Sequence, residues 1–345
     1  MRTFLSPTQD TTIYQRYPTI NTGLDEILEI GKLTRTLDGD VMYASSSVRA
    51  LINFDIPSAQ QYPSNAKYYL HFRIANAKNV KRYQQLNVYP ISSSWVEGSG
   101  YFYQDVKNMQ DGATWSESDR LVNWTTSGSD FVSTPSASYV MKNVPIEDIK
   151  IDVTSIIAPV VSGSTSLWNG LLIKYPTGDE LDQNNKGNIK VFSGNTHTIF
   201  APKLEIVWSD QQFQTGSLKP IRNSNVSIIP RNIKEAYTRG EIDKVYLVTR
   251  DLYPDKKYDS VQRYRNTYYL PSQSYFRITD DVSGTVLYDF DQYSAISCDV
   301  SGSYFVLDTS ALEINRYYTV DIKIKSGSLV FFPEFKYTFK VDADE

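Results

Sequence analysis

Alternation restricts this chain more than any other feature. In Tyr318-Thr319-Val320-Asp321-Ile322-Lys323-Ile324, apolar residues occupy every second place from Val320. Successive strand side chains point to opposite faces, so Val320, Ile322 and Ile324 share one side and Thr319, Asp321 and Lys323 the other. Such a strand covers a core on one side only. Similar runs occur at Val48 to Phe54, Lys67 to Ile74, Gln85 to Tyr89, Gly170 to Lys174, Ile189 to Phe192, Lys203 to Trp208, Lys244 to Thr249 and Phe335 to Val341. Ser, Gly, Asn, Asp and Pro separate them, as they separate half-buried strands joined by turns. The class is all-β, of the sandwich kind. One short helix is expected over Ile151 to Val160, with Asp152 as a cap and Pro159 limiting its length.

With 345 residues the chain has room for two domains. The boundary belongs after Trp208, because Ser209 to Leu218 is polar, carries Gly216 and precedes Pro220. The expected division is a first domain over 1–209, a linker over 210–219 and a second domain over 220–345. No fixed-period repeat or low-complexity tract is present, which argues against a solenoid or a collagen-like shaft.

Charge and cysteine narrow the function classes. The 39 acidic and 35 basic residues give a net charge of -4 with no basic stripe, so nucleic acid is not an expected partner. The single cysteine, Cys298, sits in a strand-like run and reads as a small core residue. The opening residues, Met1 to Pro7, are interrupted by polar groups before an apolar export segment forms, and no apolar stretch reaches 18 residues. The expectation is a chain made in a cytoplasm, without a membrane partner and without a classical export signal. On that reading the sequons at Asn123 and Asn225 are coincidences.

Catalytic patterns are absent from the sequence. The two histidines, His71 and His197, lie far apart and read as structural hydrogen-bonding groups. No nucleophile elbow, phosphate-binding loop or dinucleotide fingerprint occurs. Acidic neighbours stand at Glu147-Asp148, Asp179-Glu180 and Asp280-Asp281, but adjacent strand residues face opposite ways, which suits a glycosidase pair poorly. The loop Asp182 to Ile189 imitates a calcium loop, yet Lys186 and Ser193 stand where oxygen ligands belong, so a solvated turn is expected. The reading is therefore a non-enzyme with no catalytic residue, metal ligand or cofactor.

Aromatic residues supply the binding candidates. Trp95, Trp115 and Trp124 share a loop-rich stretch with Tyr101, Phe102 and Tyr103. Exposed, Trp95, Trp115, Trp124, Tyr101 and Tyr103 would stack on sugar rings; buried, the tryptophans would close the end of a sandwich core. A second set, Tyr253, Tyr258, Arg263, Tyr264, Arg265 and Tyr268, crowds one region of the second half and is the candidate assembly surface.

Spaced motifs over residues 6 to 208 resemble the DNRLRE-type jelly-roll module, a family related to carbohydrate-binding modules. They are Asp10-Thr11-Thr12-Ile13-Tyr14, Asn21-Thr22-Gly23, Glu26 to Gly31, the arginine-bearing Arg49 to Ile56, Trp95-Val96-Glu97, Ala113-Thr114-Trp115, Ile149 to Thr154, Gly170 to Lys174 and Pro202 to Ile206. The segment Phe192 to Trp208, with Tyr268 to Ser272 and Asn315 to Val320, is similar to virion structural proteins of tailed bacteriophages, where a jelly roll precedes an immunoglobulin-like β domain. The resemblance implies a jelly-roll β-sandwich followed by a smaller immunoglobulin-like sandwich. It further implies a particle component of the tail, neck or baseplate, homo- or hetero-oligomeric with other virion proteins. The rival expectation is a module that binds a host glycan or receptor.

Overall fold

The computed structural model describes residues 1–34, 36–37, 41–42, 46–56, 62–102, 111–142, 148–165, 168–253 and 268–343. The chain forms two compact units, one of Phe4–Ile206 and one of Val207–Glu345 together with Met1–Thr3. Both are all-β sandwiches, and no helix among the described residues exceeds eight residues.

The Phe4–Ile206 unit is a jelly-roll-like sandwich. One sheet runs Arg2–Leu5, Lys203–Val207, Lys67–Phe72, Ile149–Asp152; the other runs Ala137–Val140, Gln85–Pro90, Leu171–Lys174, Ser46–Phe54, Ile27–Leu33, Asn188–Phe192, Ile74–Lys78. Pro7–Tyr14 lies antiparallel along Ser46–Phe54, pairing Asp10 with Ile52 and Tyr14 with Val48. The run expected as one strand from Lys67 to Ile74 breaks at Arg73, and its continuation joins the other sheet by pairing with Asn188–Phe192. The helix begins later than expected. Ile149–Asp152 is ladder, with Ile151 opposite Leu70, and the helix occupies Thr154–Val161 with Val153 at its N-cap. Asp152 instead accepts the Thr154 N–H at 2.9 Å. Pro159 lies inside the helix, which ends two residues later.

Register fixes which residues share a face of the larger sheet. Thr11, Leu51 and Leu172 are cross-strand partners, as are Ile13 and Arg49, so these five and Lys174 project to the same side. Residues on either side of 103–110, from Ile91 to Trp95 and from Ala113 to Phe131, cover that side. Ile13, Leu51 and Leu172 pack there against Ile91, Trp95, Ala113, Trp115 and Trp124, with Phe131 at the margin.

The second unit is a sandwich of two six-stranded sheets. Val245, Leu247, Phe305 and Leu307 of one sheet meet Phe276, Ile278, Val320, Ile322, Ile324, Phe339 and Val341 of the other. Phe276 and Phe305 stack across the interior with centroids 4.7 Å apart. Burying each large apolar side chain contributes about 1.5–3 kcal/mol relative to leaving it in water. Cys298 is buried in the Ser297–Asp299 strand.

Candidate functional site

The tryptophans are lid residues. Trp95, Trp115 and Trp124 are all buried. The Trp95 indole N–H donates to the Asn169 carbonyl at 2.7 Å, and that of Trp124 to the Thr114 carbonyl at 2.9 Å. With all three rings buried, and the polar tips of Trp95 and Trp124 bonded, they have no face left for a sugar. The expected stacking role is thereby corrected for these three. Tyr101 is 39% exposed, and Tyr103 lies outside the described residues.

Beneath the lid sits a buried ion cluster. Arg49 forks onto Glu180, Nε to Oε1 at 2.8 Å and Nη2 to Oε2 at 2.9 Å, while Nη1 donates to the Gly128 carbonyl at 2.6 Å. The Arg49 guanidinium lies 4.7 Å from the Trp115 ring centre. Lys174 donates to Glu180 Oε2, and Lys32 to the Glu180 carbonyl. Burial, with Arg49 beside it, holds Lys174 below its usual range, against the pull of Glu180. Burial likewise lowers Lys32. The sequence reading placed Asp179 and Glu180 on a strand, but they lie on the Thr177–Leu181 helix, where Glu180 turns inward and Asp179 reaches Gln84.

The open edge of Pro7–Tyr14 is capped by loop side chains. Glu97 Oε1 accepts the Asp10 N–H at 2.9 Å. Thr22 accepts the Thr12 N–H at 3.1 Å and donates to its carbonyl at 2.7 Å. An edge closed in this way offers no ladder to another chain. The Asp10 carboxyl is 1% exposed, and burial, reinforced by the neighbouring Glu97 charge, pushes it up to about 7 against the lowering hydrogen bond from Gly194. Burial also raises Glu97, opposed by the Asp10 N–H and Asn195.

Other expected groups fall into ordinary roles. His71 Nε2 lies 2.7 Å from Glu205 Oε2, which also takes Lys150 at 2.6 Å; His197 is exposed. In the calcium-like loop, Asp182 accepts the Asn184 N–H and Lys81, and Asn185 accepts the Gly187 N–H, so the loop satisfies itself as a turn. Asp280 pairs with Arg316 at 2.7 Å, and Asp281 accepts the Thr319 hydroxyl at 2.7 Å.

The candidate assembly residues separate. Tyr253 is 80% exposed, whereas Tyr268 is buried and donates to Asp251 at 2.9 Å, which corrects its expected place on a contact surface. Tyr258, Arg263, Tyr264 and Arg265 lie outside the described residues.

A different exposed patch stands on the same unit. The Leu329–Phe331 strand follows the turn at Gly327 and pairs with Arg316–Ser326. Leu329, Val330 and the adjoining Phe332 are exposed, Phe332 to 64%. The Phe332 ring lies 5.8 Å from Phe290, over which Arg277 stacks at 4.8 Å. The signal was present in the sequence, since four consecutive apolar residues, Leu329 to Phe332, cannot all face one side of a strand.

These two units define the chain as a pair of β-sandwiches with a sealed lid and an exposed apolar hairpin. No protein-family model and no curated protein matches it. Among solved structures it is similar to a DUF4785 family protein from Legionella pneumophila, at 11% identity over 98% of this chain and 65% of that one, with a TM-score of 0.19. It is also similar to β-glucuronidases from Parabacteroides merdae, at 12% identity over 85% of this chain and 27% of that one, and Bacteroides uniformis, at 10% over 93% and 35%, each with a TM-score of 0.19. The chain thus spans less than two thirds of each of these proteins.

Proposed function

We propose that the chain is a non-enzymatic structural component of a tailed-phage virion, of the tail, neck or baseplate, made in the host cytoplasm and working through protein–protein contact. The observation that carries this reading is the exposed run Leu329, Val330 and Phe332 beside Phe290. Apolar runs on a solvent face oppose solubility unless a partner covers them. Here the proposed occupant is a neighbouring virion protein. Arg277 and Lys323 flank Phe290 and would give the contact a polar rim. The resemblance of Phe192 to Trp208 and of the second half to phage structural proteins supports the same reading. The rival, glycan binding, loses its three tryptophans to the lid.

Quantitative mass spectrometry of gradient-purified particles tests the proposal. A fixed ratio to the major capsid and tail proteins is expected, falling at least tenfold when Val330→Lys and Phe332→Lys are combined in a chain whose circular dichroism is unchanged. Absence from particles, or an unchanged ratio in the double variant, would overturn it.

A further inference from the structure

Strand register places two groups of exposed apolar side chains at opposite ends of the second sandwich. The Arg316–Ser326 strand runs the length of one sheet, about 35 Å at the usual rise per residue. Near its finish, Lys325 faces Gln273 on one flank and Val330 on the other. Tyr268 pairs with Thr249, and Leu270-Pro271-Ser272 then leads to Gln273, so the Ile242–Asp251 strand of the other sheet finishes at this end as well. Leu329, Val330 and Phe332 are exposed here, as is Tyr253, two residues past Asp251. At the start of Arg316–Ser326, Arg316 faces Val341 and Tyr318 faces Asp280. Thr238 pairs with Asp342, and Arg239-Gly240-Glu241 leads from it to Ile242, where the other sheet begins. Ile242, Val282, Ile314 and Tyr317 are exposed at this second end.

The two ends carry opposite charge. Toward the hairpin end, Lys219, Arg250, Lys323, Lys325 and Lys336 outnumber Asp251, Asp289 and Glu334, once Arg277 is matched to Asp321. Lys323 and Lys325 alternate with the buried Ile322 and Ile324, so both stand on the outer face, and neither forms an ion pair among the described residues. At the second end, Arg316 is matched to Asp280 and Lys234 to Glu241. Glu235, Asp281, Glu313 and Asp342 then outnumber Arg239 and Lys340.

We propose that the hairpin end of one chain docks on the second end of another copy, so that copies join head to tail. The neighbour in the virion reading, on which this rests, is thereby a second copy of the chain. Two hairpin ends brought together would set lysine against lysine, and two second ends carboxylate against carboxylate. One end against the other instead turns Lys323 and Lys325 toward carboxylates and lets Leu329, Val330 and Phe332 bury themselves against Val282, Ile314 and Tyr317. The strand between the ends holds them apart, so one chain cannot make the contact with itself. A contact between unlike patches is heterologous, and it closes into a ring where the rotation per copy divides a full turn and continues as a filament where it does not.

Sedimentation velocity of the full chain over about 1–100 µM tests this. The wild type is expected to form species of three or more copies as concentration rises. Val330→Lys with Phe332→Lys disables one end, and Val282→Asp with Tyr317→Asp the other. Each double variant alone should stay monomeric, and an equimolar mixture should give a dimer and nothing larger, because one intact end of each kind remains. Lys323→Glu with Lys325→Glu, which leaves every core residue in place, should weaken assembly at least tenfold, and it decides alone if either apolar variant fails to fold by circular dichroism. A monomeric wild type, self-association of either folded apolar variant, a mixture without dimer, or undiminished assembly of the lysine variant would overturn head-to-tail docking. A monomeric wild type that is still present in particles at a fixed ratio leaves the virion reading standing with a different neighbour, whereas head-to-tail assembly of a chain absent from particles overturns that reading alone.

Discussion

Asp280 illustrates how a single carboxylate secures the second unit. It is buried, and burial alone would raise its pKa. The N–H groups of Val282 and Ser283, the Ser283 hydroxyl and Arg316 outweigh that effect and hold it below its ordinary value of 3.8. A carboxyl that is more acidic in the folded chain than in the unfolded one stabilises the fold above the unfolded value. That contribution fades as pH falls through the lower, folded value. Asp280→Asn should therefore destabilise the second unit by about 1–3 kcal/mol at pH 7, with the gap to wild type closing as the pH drops below 4. Thermal melts of the two proteins across pH 3 to 8 check this. A gap independent of pH would mean that packing, and not charge, is what the substitution removes.

At the scale of elements, the division between legible and illegible follows the length of the pattern. Val320, Ile322 and Ile324 alternate through a long strand, and all three are buried where alternation places them. The crossover at Arg73 leaves no mark, because Lys67 to Ile74 contains neither glycine nor proline and the alternation runs through the break. The Thr177–Leu181 helix is too short to show a period, so the inward turn of Glu180 could not be read from the sequence. Aromatic content located the lid but not its orientation, since a tryptophan that closes a core and one that stacks on a sugar look alike in a sequence. The short helix nevertheless sets a clear test. Glu180→Ala leaves Arg49 and Lys174 facing each other without their shared anion, at a cost of about 3–5 kcal/mol. Chemical unfolding followed by tryptophan fluorescence reports on this unit, which holds four of the five tryptophans.

For the whole molecule, the consequential residue is Arg2. It is buried with the second unit, donating from Nη1 to the Leu287 carbonyl at 2.8 Å and from Nη2 to Asp291 at 2.6 Å, while the Tyr288 hydroxyl donates to its carbonyl at 3.0 Å. Its guanidinium also lies 5.3 Å from the Tyr288 ring centre. Nothing local in Met1-Arg2-Thr3 signals these partners, which stand nearly three hundred residues further on. Arg2→Ala should cost the second unit about 2–4 kcal/mol, chiefly by leaving Asp291 and the Leu287 carbonyl unmatched, and should leave the lid-bearing unit unchanged. Hydrogen exchange read by mass spectrometry separates the outcomes, with faster exchange confined to residues around 287–293.

The membership of Met1–Thr3 in the second unit also orders events at the ribosome. The Arg2 side chain is made before the Phe4–Ile206 unit, yet the groups it bonds, the Leu287 carbonyl and Asp291, follow 285 and 289 residues later, on the order of tens of seconds at ordinary elongation rates. The second sandwich therefore gathers segments that flank the first unit in sequence, and it closes around Arg2 only after that unit has been synthesised whole.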